Sequence, residues 1–316
     1  MKLSAFAAGL CVVAIAGPAL AFGTVRFLGQ DAQHERITRR ALQCVTAGRS
    51  GCFDPASLDE IAGKAGTWGG VGYPDDPTAG LMSSTDAHCD SGDSLLIPGY
   101  PQGQAAARAR LESCRAWMVS NLDGAVTEAA GLLDDRGAVI AGEMKLGCAF
   151  GDSVTGAKCR TLQKFGALLH ASQDFYSHSN WVDLPAPGAT GTDNPPGLGN
   201  TGPAPWISLR DGGVPFPAGL ISGCYDGYPE RFYCKGRVKH GALNKDTGTI
   251  DPAIGVGTTP RGGVNGNFKR AVEAAVADSR DKWALLKERL EARYGAEKAR
   301  KMTCALTKDD PVEQCA

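Results

Sequence analysis

Residues Leu162–Trp181 read LQKFGALLHASQDFYSHSNW, and their spacing predicts a helix over about Ala157 to Ser179. His170, Asp174 and His178 stand four positions apart. Four helical residues turn the chain by about 400°, so the three side chains form one slowly drifting stripe. Leu162, Phe165, Leu168, Leu169 and Phe175 flank that stripe with apolar surface, which turns it toward the protein interior. Two imidazoles and a carboxylate are costly to bury unless each polar atom is satisfied. A hydrogen-bonded network of buried polar groups would satisfy them, and so would a divalent cation held between them.

The chain begins like an exported protein. Lys2 precedes an apolar run from Leu3 to Ile15, and Gly17, Pro18 and the small-x-small triplet Ala19-Leu20-Ala21 follow. Residues 1–21 are thus predicted to be a signal peptide, with Phe22 as the first residue of a secreted mature chain. That apolar run is too short to span a bilayer, and no later run reaches the length that would. Removing Lys2 leaves 32 of the 33 Lys and Arg residues against 34 Asp and Glu. Such a balance gives no strong nucleic-acid footprint. Ten cysteines remain once Cys11 is removed. An even number in an exported chain implies disulfides, and short loop closures favour Cys44–Cys52, Cys89–Cys114, Cys148–Cys159, Cys224–Cys234 and Cys304–Cys315. No C-x-x-C pair occurs, which sets thiolate zinc sites aside.

From Asp31, DAQHERITRRALQCV predicts a helix with Ile37, Ala41, Leu42 and Val45 on one side and His34 at its head. Taken alone, His34 reads as a helix-start residue facing water. Phe53 to Lys64 predicts a short helix. The glycines of GTWGGVGYPDDP predict a loop in which Asp75 and Asp76 sit as solvated turn residues. His88 lies in SSTDAHCDSGDS, flanked by Asp86, Asp90 and Asp93, but the segment lacks the closing glutamate of a calcium loop. Amphipathic patterns predict helices over Gln104–Ser120, Asn121–Leu133 and Asn265–Tyr294. Between them, residues 183–219 turn to Pro and Gly and predict a long irregular segment, a surface loop or a lid. Strand-like alternation is scarce and no internal repeat is evident. The expected fold is all-α, a single helical domain over 22–316 with long Pro/Gly-rich loops and several disulfides.

The chain has five histidines, at 34, 88, 170, 178 and 240, and each lies near an acid. A site with two or three zinc ions needs about four ligands per metal, drawn from His, carboxylate and water.

The stretch HASQDFYSHSNW resembles the signature of the heterokaryon-incompatibility C family. The layout of FGTVRFLGQDAQHERITRRAL, VGYPDD, DAHCDSGD and KHGALNKD resembles that of the secreted bacterial CinY-type proteins. Both are distantly similar to zinc-dependent phospholipase C and the fungal single-strand nucleases, which are helical enzymes with a trinuclear zinc cluster. The likeness covers most of the mature chain, in islands. It implies a phospholipase C/nuclease-like helical fold and a metal set of Phe22, through its amine and carbonyl, with His34, Asp75, His88, His170, Asp174, His178 and His240. Asp76 matches the loop aspartate less well than Asp75. Where the family pattern closes on an acid four residues after its last histidine, this chain has Asn244, so Asp246 or Asp183 is expected to replace it. The implied function is a secreted zinc-dependent phosphodiester hydrolase of phospholipase C-like type, with Asp75 orienting or deprotonating the attacking water. Phospholipid or another phosphodiester is the expected substrate, and peripheral membrane contact is expected with it. Trp68, Tyr73, Tyr225, Tyr228, Phe232 and Tyr233 would either touch a lipid or base or pack on the core. A nuclease and a catalytically inactive interaction protein on the same fold are the alternatives.

Overall fold

The computed structural model describes residues 22–24, 26, 30–44, 51–210, 213–225 and 232–315. The expected signal peptide, Val45 and Tyr228 lie outside them. Helices account for the regular structure. They are α1 (Gln33–Leu42), α2 (Pro55–Ala62), α3 (Gly69–Gly72), α4 (Thr85–His88), α5 (Gln104–Glu128), α6 (Ala157–His178), α7 (Asn267–Tyr294), α8 (Ala296–Thr307) and α9 (Pro311–Gln314). Among the described residues, β-structure is confined to isolated bridges such as Ser179–Ser222 and Cys224–Lys239.

Helix α6 is the axis of the molecule. It packs against α1, α3, α4, α5 and α7, and apart from Arg160 and Lys164 its residues are buried. A helix buried all round must satisfy its polar side chains internally. Ser172 donates to Asp278 of α7, Gln173 donates to Thr38 (3.0 Å) and Ser279 (3.2 Å), and Ser177 donates to Asp246 (2.6 Å).

The glycine-rich run 66–72 was expected to be a loop, yet Gly69–Gly72 forms a helical turn and Tyr73–Asp75 a 3-10 turn. Packing explains the difference. A Cβ on Gly166 would lie 2.1 Å from the Gly70 carbonyl carbon, and one on Gly70 would lie 2.6 Å from the Leu162 carbonyl oxygen. Glycine on both sides lets the α3 backbone rest directly on α6, where tertiary contact outweighs glycine's poor helix propensity.

Helix α5 also differs from expectation. It runs through Asn121, where two helices had been expected to meet, because the Asn121 amide donates to the Trp117 carbonyl one turn back (3.0 Å) and caps nothing. Helices α8 and α9 were not anticipated. Gly295, at φ 82°, ends α7, and α8 then buries Ala299, Met302, Ala305 and Leu306. Past α8, Asp309 accepts from the first N–H groups of α2, Ala56 (3.0 Å) and Ser57 (2.7 Å). The buried Lys158 ammonium joins Ser57 Oγ (2.8 Å) to the Lys308 carbonyl (2.7 Å), and burial pushes its pKa down to about 8.

All five expected disulfides are present. The described residues of segment 183–219 are irregular apart from a 3-10 turn at Pro205–Ile207. It is fastened to α7, through Asn267 to Leu184 and through Arg270 to the Gly199 and Asn200 carbonyls. No helix among the described residues is long and apolar enough to cross a membrane.

Candidate metal centre

The five histidines come from four elements, α1, α4, α6 and the 3-10 turn His240–Ala242, and meet in one buried cluster. The stacked His34 and His170 rings are 4.3 Å apart, His88 stands edge-on to His170 at 4.9 Å, and His178 lies 4.4 Å from His240. His34 is fully buried, contrary to the solvent-facing reading of its helix start, because Phe22 and Gly23 cross over the beginning of α1. Gly23 donates to the Asp246 carbonyl (3.1 Å), and its own carbonyl accepts from the His34 N–H (3.2 Å). A side chain at 23 would collide with Gln33 at 2.3 Å, so glycine permits this passage.

Each imidazole is held in the same way. Nδ1 of His34 meets Gln173 Oε1 (2.7 Å), and that of His88 meets the Ser84 carbonyl (2.9 Å). Nδ1 of His170 meets the Val71 carbonyl (2.9 Å), that of His178 the His88 carbonyl (2.7 Å) and that of His240 Asp90 Oδ1 (3.1 Å). The Gln173 amide nitrogen is committed to Thr38 and Ser279, so its oxygen accepts. An oxygen acceptor stands at Nδ1 of all five rings, so each ring in its neutral form can keep its proton there. Each neutral ring then carries its lone pair on Nε2, the arrangement that metal-binding histidines use.

The Nε2 atoms turn toward three carboxylates. His88 is 3.0 Å from Asp75 Oδ1, and His170 is 3.9 Å from the same oxygen. His34 is 3.1 Å from Asp174 Oδ1, and His170 is 3.1 Å from Asp174 Oδ2. His178 (3.1 Å) and His240 (3.0 Å) take one oxygen each of Asp246. The Phe22 nitrogen is 3.3 Å from Asp174 Oδ1. Three groups bring ligand atoms within 4.8 Å of one another: His34 with His170 and Asp174, Asp75 with His88 and His170, and Asp90 with His178 and His240. In the third, Nδ1 of His178 is already bonded to the His88 carbonyl. Its Nε2 and that of His240 make Asp246 the better partner, and leave Asp90 to orient the rings.

Asp75 was expected in a solvated turn and is instead buried. The 3-10 turn carries it inward, where Thr24 Oγ1 donates to its second oxygen. Asp76 faces the other way and accepts from the Thr78 N–H and hydroxyl (both 2.8 Å). Asp183 lies outside the cluster, bonded to Arg261 (2.8 Å) and 3.0 Å from the buried Lys245 ammonium. Asn244 presents a buried amide oxygen with no hydrogen-bond partner. Sequence reading missed Asp90 as a member of the site. Cys89 has a left-handed backbone, φ 55°, which redirects the chain between His88 and Asp90, so helical spacing carried no signal for it.

Burial opposes charge on every group here, and the partners decide the outcome. Against that burial, the Asp75 hydrogen bond and charge push His88 up to about 9. Asp174 raises His34 in the same way, while Asp90 chiefly raises His178 and lifts His240 well above the usual histidine value. His170 is lowered, since for it burial prevails over Asp174. Burial also opposes ionisation of Asp75, Asp174 and Asp246, yet the imidazoles hold all three below the usual carboxylate value. The cluster is built to carry positive charge, either as protons on its imidazoles or as bound cations.

Hydrogen-bond alignment discriminates between these. The Nε2 atoms of His88, His178 and His240 are aligned with Asp75 and Asp246, but those of His34 and His170 and Asp174 Oδ2 are buried within reach of one another without hydrogen-bond alignment. Protonated rings would leave those N–H groups misdirected, at a cost of about 1–3 kcal/mol each. A shared cation needs only that the lone pairs approach one point, so the donor set fits a metal. Five neutral imidazoles and the carboxylates of Asp75, Asp90, Asp174 and Asp246 sum to four negative charges, which two divalent cations would balance.

The molecule is thus an all-helical, disulfide-braced protein with buried His/Asp groups suited to metal. Comparison with known protein families, with curated proteins and with solved structures finds no match.

Proposed function

We propose that the chain is a secreted zinc-dependent phosphodiester hydrolase of phospholipase C-like type and fold, with kinship to the CinY-type proteins. The observation that carries the proposal is the shared orientation of the rings. Five buried rings are anchored through Nδ1 to oxygen, and all five turn Nε2 toward Asp75, Asp174 or Asp246. His and carboxylate donors suit zinc, and two or three ions would share the ligands, Phe22 included. Zinc bound there would lower the pKa of a coordinated water and neutralise charge on a phosphodiester.

The protein groups have distinct tasks on this reading. Asp174 bridges the His34 and His170 sides with its two oxygens, and Asp246 bridges His178 and His240. Asp75 stays ionised and stands 3.0 Å from His88, the most exposed member of the cluster at 5%. It therefore stands where a substrate water would arrive, able to orient that water and take its proton. Cleavage before Phe22 would turn the nitrogen beside Asp174 into a free amine, a further ligand.

Burial also favours a second reading, an inactive protein that keeps structural metal, because the remaining cluster residues are at most 3% exposed. Zinc analysis of the mature chain, with hydrolysis of phospholipid and of single-stranded DNA, separates the cases. Zinc with phospholipase activity that Asp75→Asn abolishes is expected. DNA hydrolysis alone would make it a nuclease, zinc with neither activity would support the inactive reading, and metal-free protein would end the hydrolase proposal.

A further inference from the structure

Eight large hydrophobic side chains stand exposed among the described residues, and four of them lie on two adjoining loops: Leu96 (87%), Ile97 (46%), Phe232 (65%) and Tyr233 (72%). The loops are locked together beneath these tips. The Val238 N–H donates to the Tyr100 hydroxyl (2.7 Å), Arg237 Nε donates to Asp93 (3.0 Å), and a Cβ on Gly236 would lie 3.5 Å from Pro101. Leu95 and Tyr100 pack on a small core of Ile221, Val238 and Leu243 under the same surface. Disulfides Cys89–Cys114 and Cys224–Cys234 brace both roots.

We propose that loops 94–100 and 232–239 together form a docking surface for an anionic phospholipid bilayer. Apolar tips gathered on a braced scaffold are unusual on a protein that meets only water, and aromatic and aliphatic tips suit the headgroup boundary. Charge selects the occupant. Lys235 and Lys239 are exposed on the same loop as Phe232 and Tyr233. Residues Ser94–Tyr100 carry no charge, and Asp93 is buried against Arg237. An uncharged apolar tip with cations at its edge complements negative headgroups, each cation contributing attraction near the surface. Position ties this surface to the cluster, since one loop begins four residues after Asp90 and the other runs into His240. The inference deepens the proposed hydrolase reading by naming a membrane as the form in which substrate is met.

The test is flotation of the full mature chain with vesicles of phosphatidylcholine alone or mixed equally with phosphatidylglycerol. Zinc content and hydrolysis of a water-soluble chromogenic phosphodiester are measured alongside. Wild type should float with the mixed vesicles, less so as salt is raised. Leu96→Ser with Ile97→Ser, and Phe232→Ser with Tyr233→Ser, should each cut the bound fraction by about tenfold or more. Lys235→Glu with Lys239→Glu should do so on mixed vesicles only. All variants should keep wild-type zinc and soluble-substrate hydrolysis. Wild type that fails to float, or loop variants that float as wild type does, would overturn the proposal. A dimer abolished by the same substitutions, without flotation, would do so too by making a second copy the occupant. Flotation without hydrolysis of any substrate would leave docking supported and the hydrolase reading refuted.

Discussion

Asp174 Oδ1 lies 3.1 Å from His34 Nε2, while its Oδ2 lies 3.1 Å from His170 Nε2. One carboxylate on α6 thus joins a histidine from the first helix to its own helical neighbour, and the stacked rings keep both contacts short. Asp174→Asn preserves shape and removes the charge. It is expected to lose most bound zinc and about 3–5 kcal/mol of stability, because buried partners are left unbalanced. Metal analysis and thermal unfolding measure both, and unchanged zinc content would exclude the ligand role.

Metal-stripped and metal-loaded protein should respond to pH in opposite senses. In stripped protein His88 is raised from 6.5 to about 9, so its contribution is fully present below 6.5 and is lost as pH rises through about 9. His34, His178 and His240 act in the same direction, and the lowered His170 opposes them. The depressed Asp75, Asp174 and Asp246 add stability present above the ordinary carboxylate range and lost under strong acid. Stripped protein should therefore weaken between about pH 6.5 and 9. Loaded protein needs neutral imidazoles and should instead lose metal as pH falls below about 6.5. Denaturant midpoints across this range, with and without chelator, test the contrast, and parallel curves would count against bound metal.

Gly166→Ala would drive a methyl into the α3 backbone and push the Val71 carbonyl off His170 Nδ1. The expected loss is about 1–3 kcal/mol with weaker zinc retention. Gly142→Ala, where an added Cβ meets nothing within 4 Å, serves as the control and should be nearly neutral.

An added methionine before Phe22 would replace the proposed free amine with an amide. Fewer zinc ions per chain and reduced hydrolysis are expected, with the helical fold kept. Equal zinc in extended and processed protein, compared by native mass spectrometry, would remove Phe22 from the ligand set.

Much of this protein was legible in its sequence because the deciding signals were local. Four-residue spacing put His170, Asp174 and His178 on one helix face, and short loop closures paired the ten described cysteines correctly. Other features depended on what the chain meets in three dimensions. The Gly69–Gly72 turn forms because Gly166 leaves room for its backbone, and α5 continues because Asn121 bonds back into its own helix. The resemblance preferred Asp75 to Asp76 and left Asp246 and Asp183 open as the closing acid. Only packing drew Asp75 and Asp246 against the imidazoles, gave Asp183 to Lys245 and Arg261, and enlisted Asp90 behind His240. Periodicity encodes which residues share a face of one helix. Which faces meet is set by the close contacts between elements far apart in the chain.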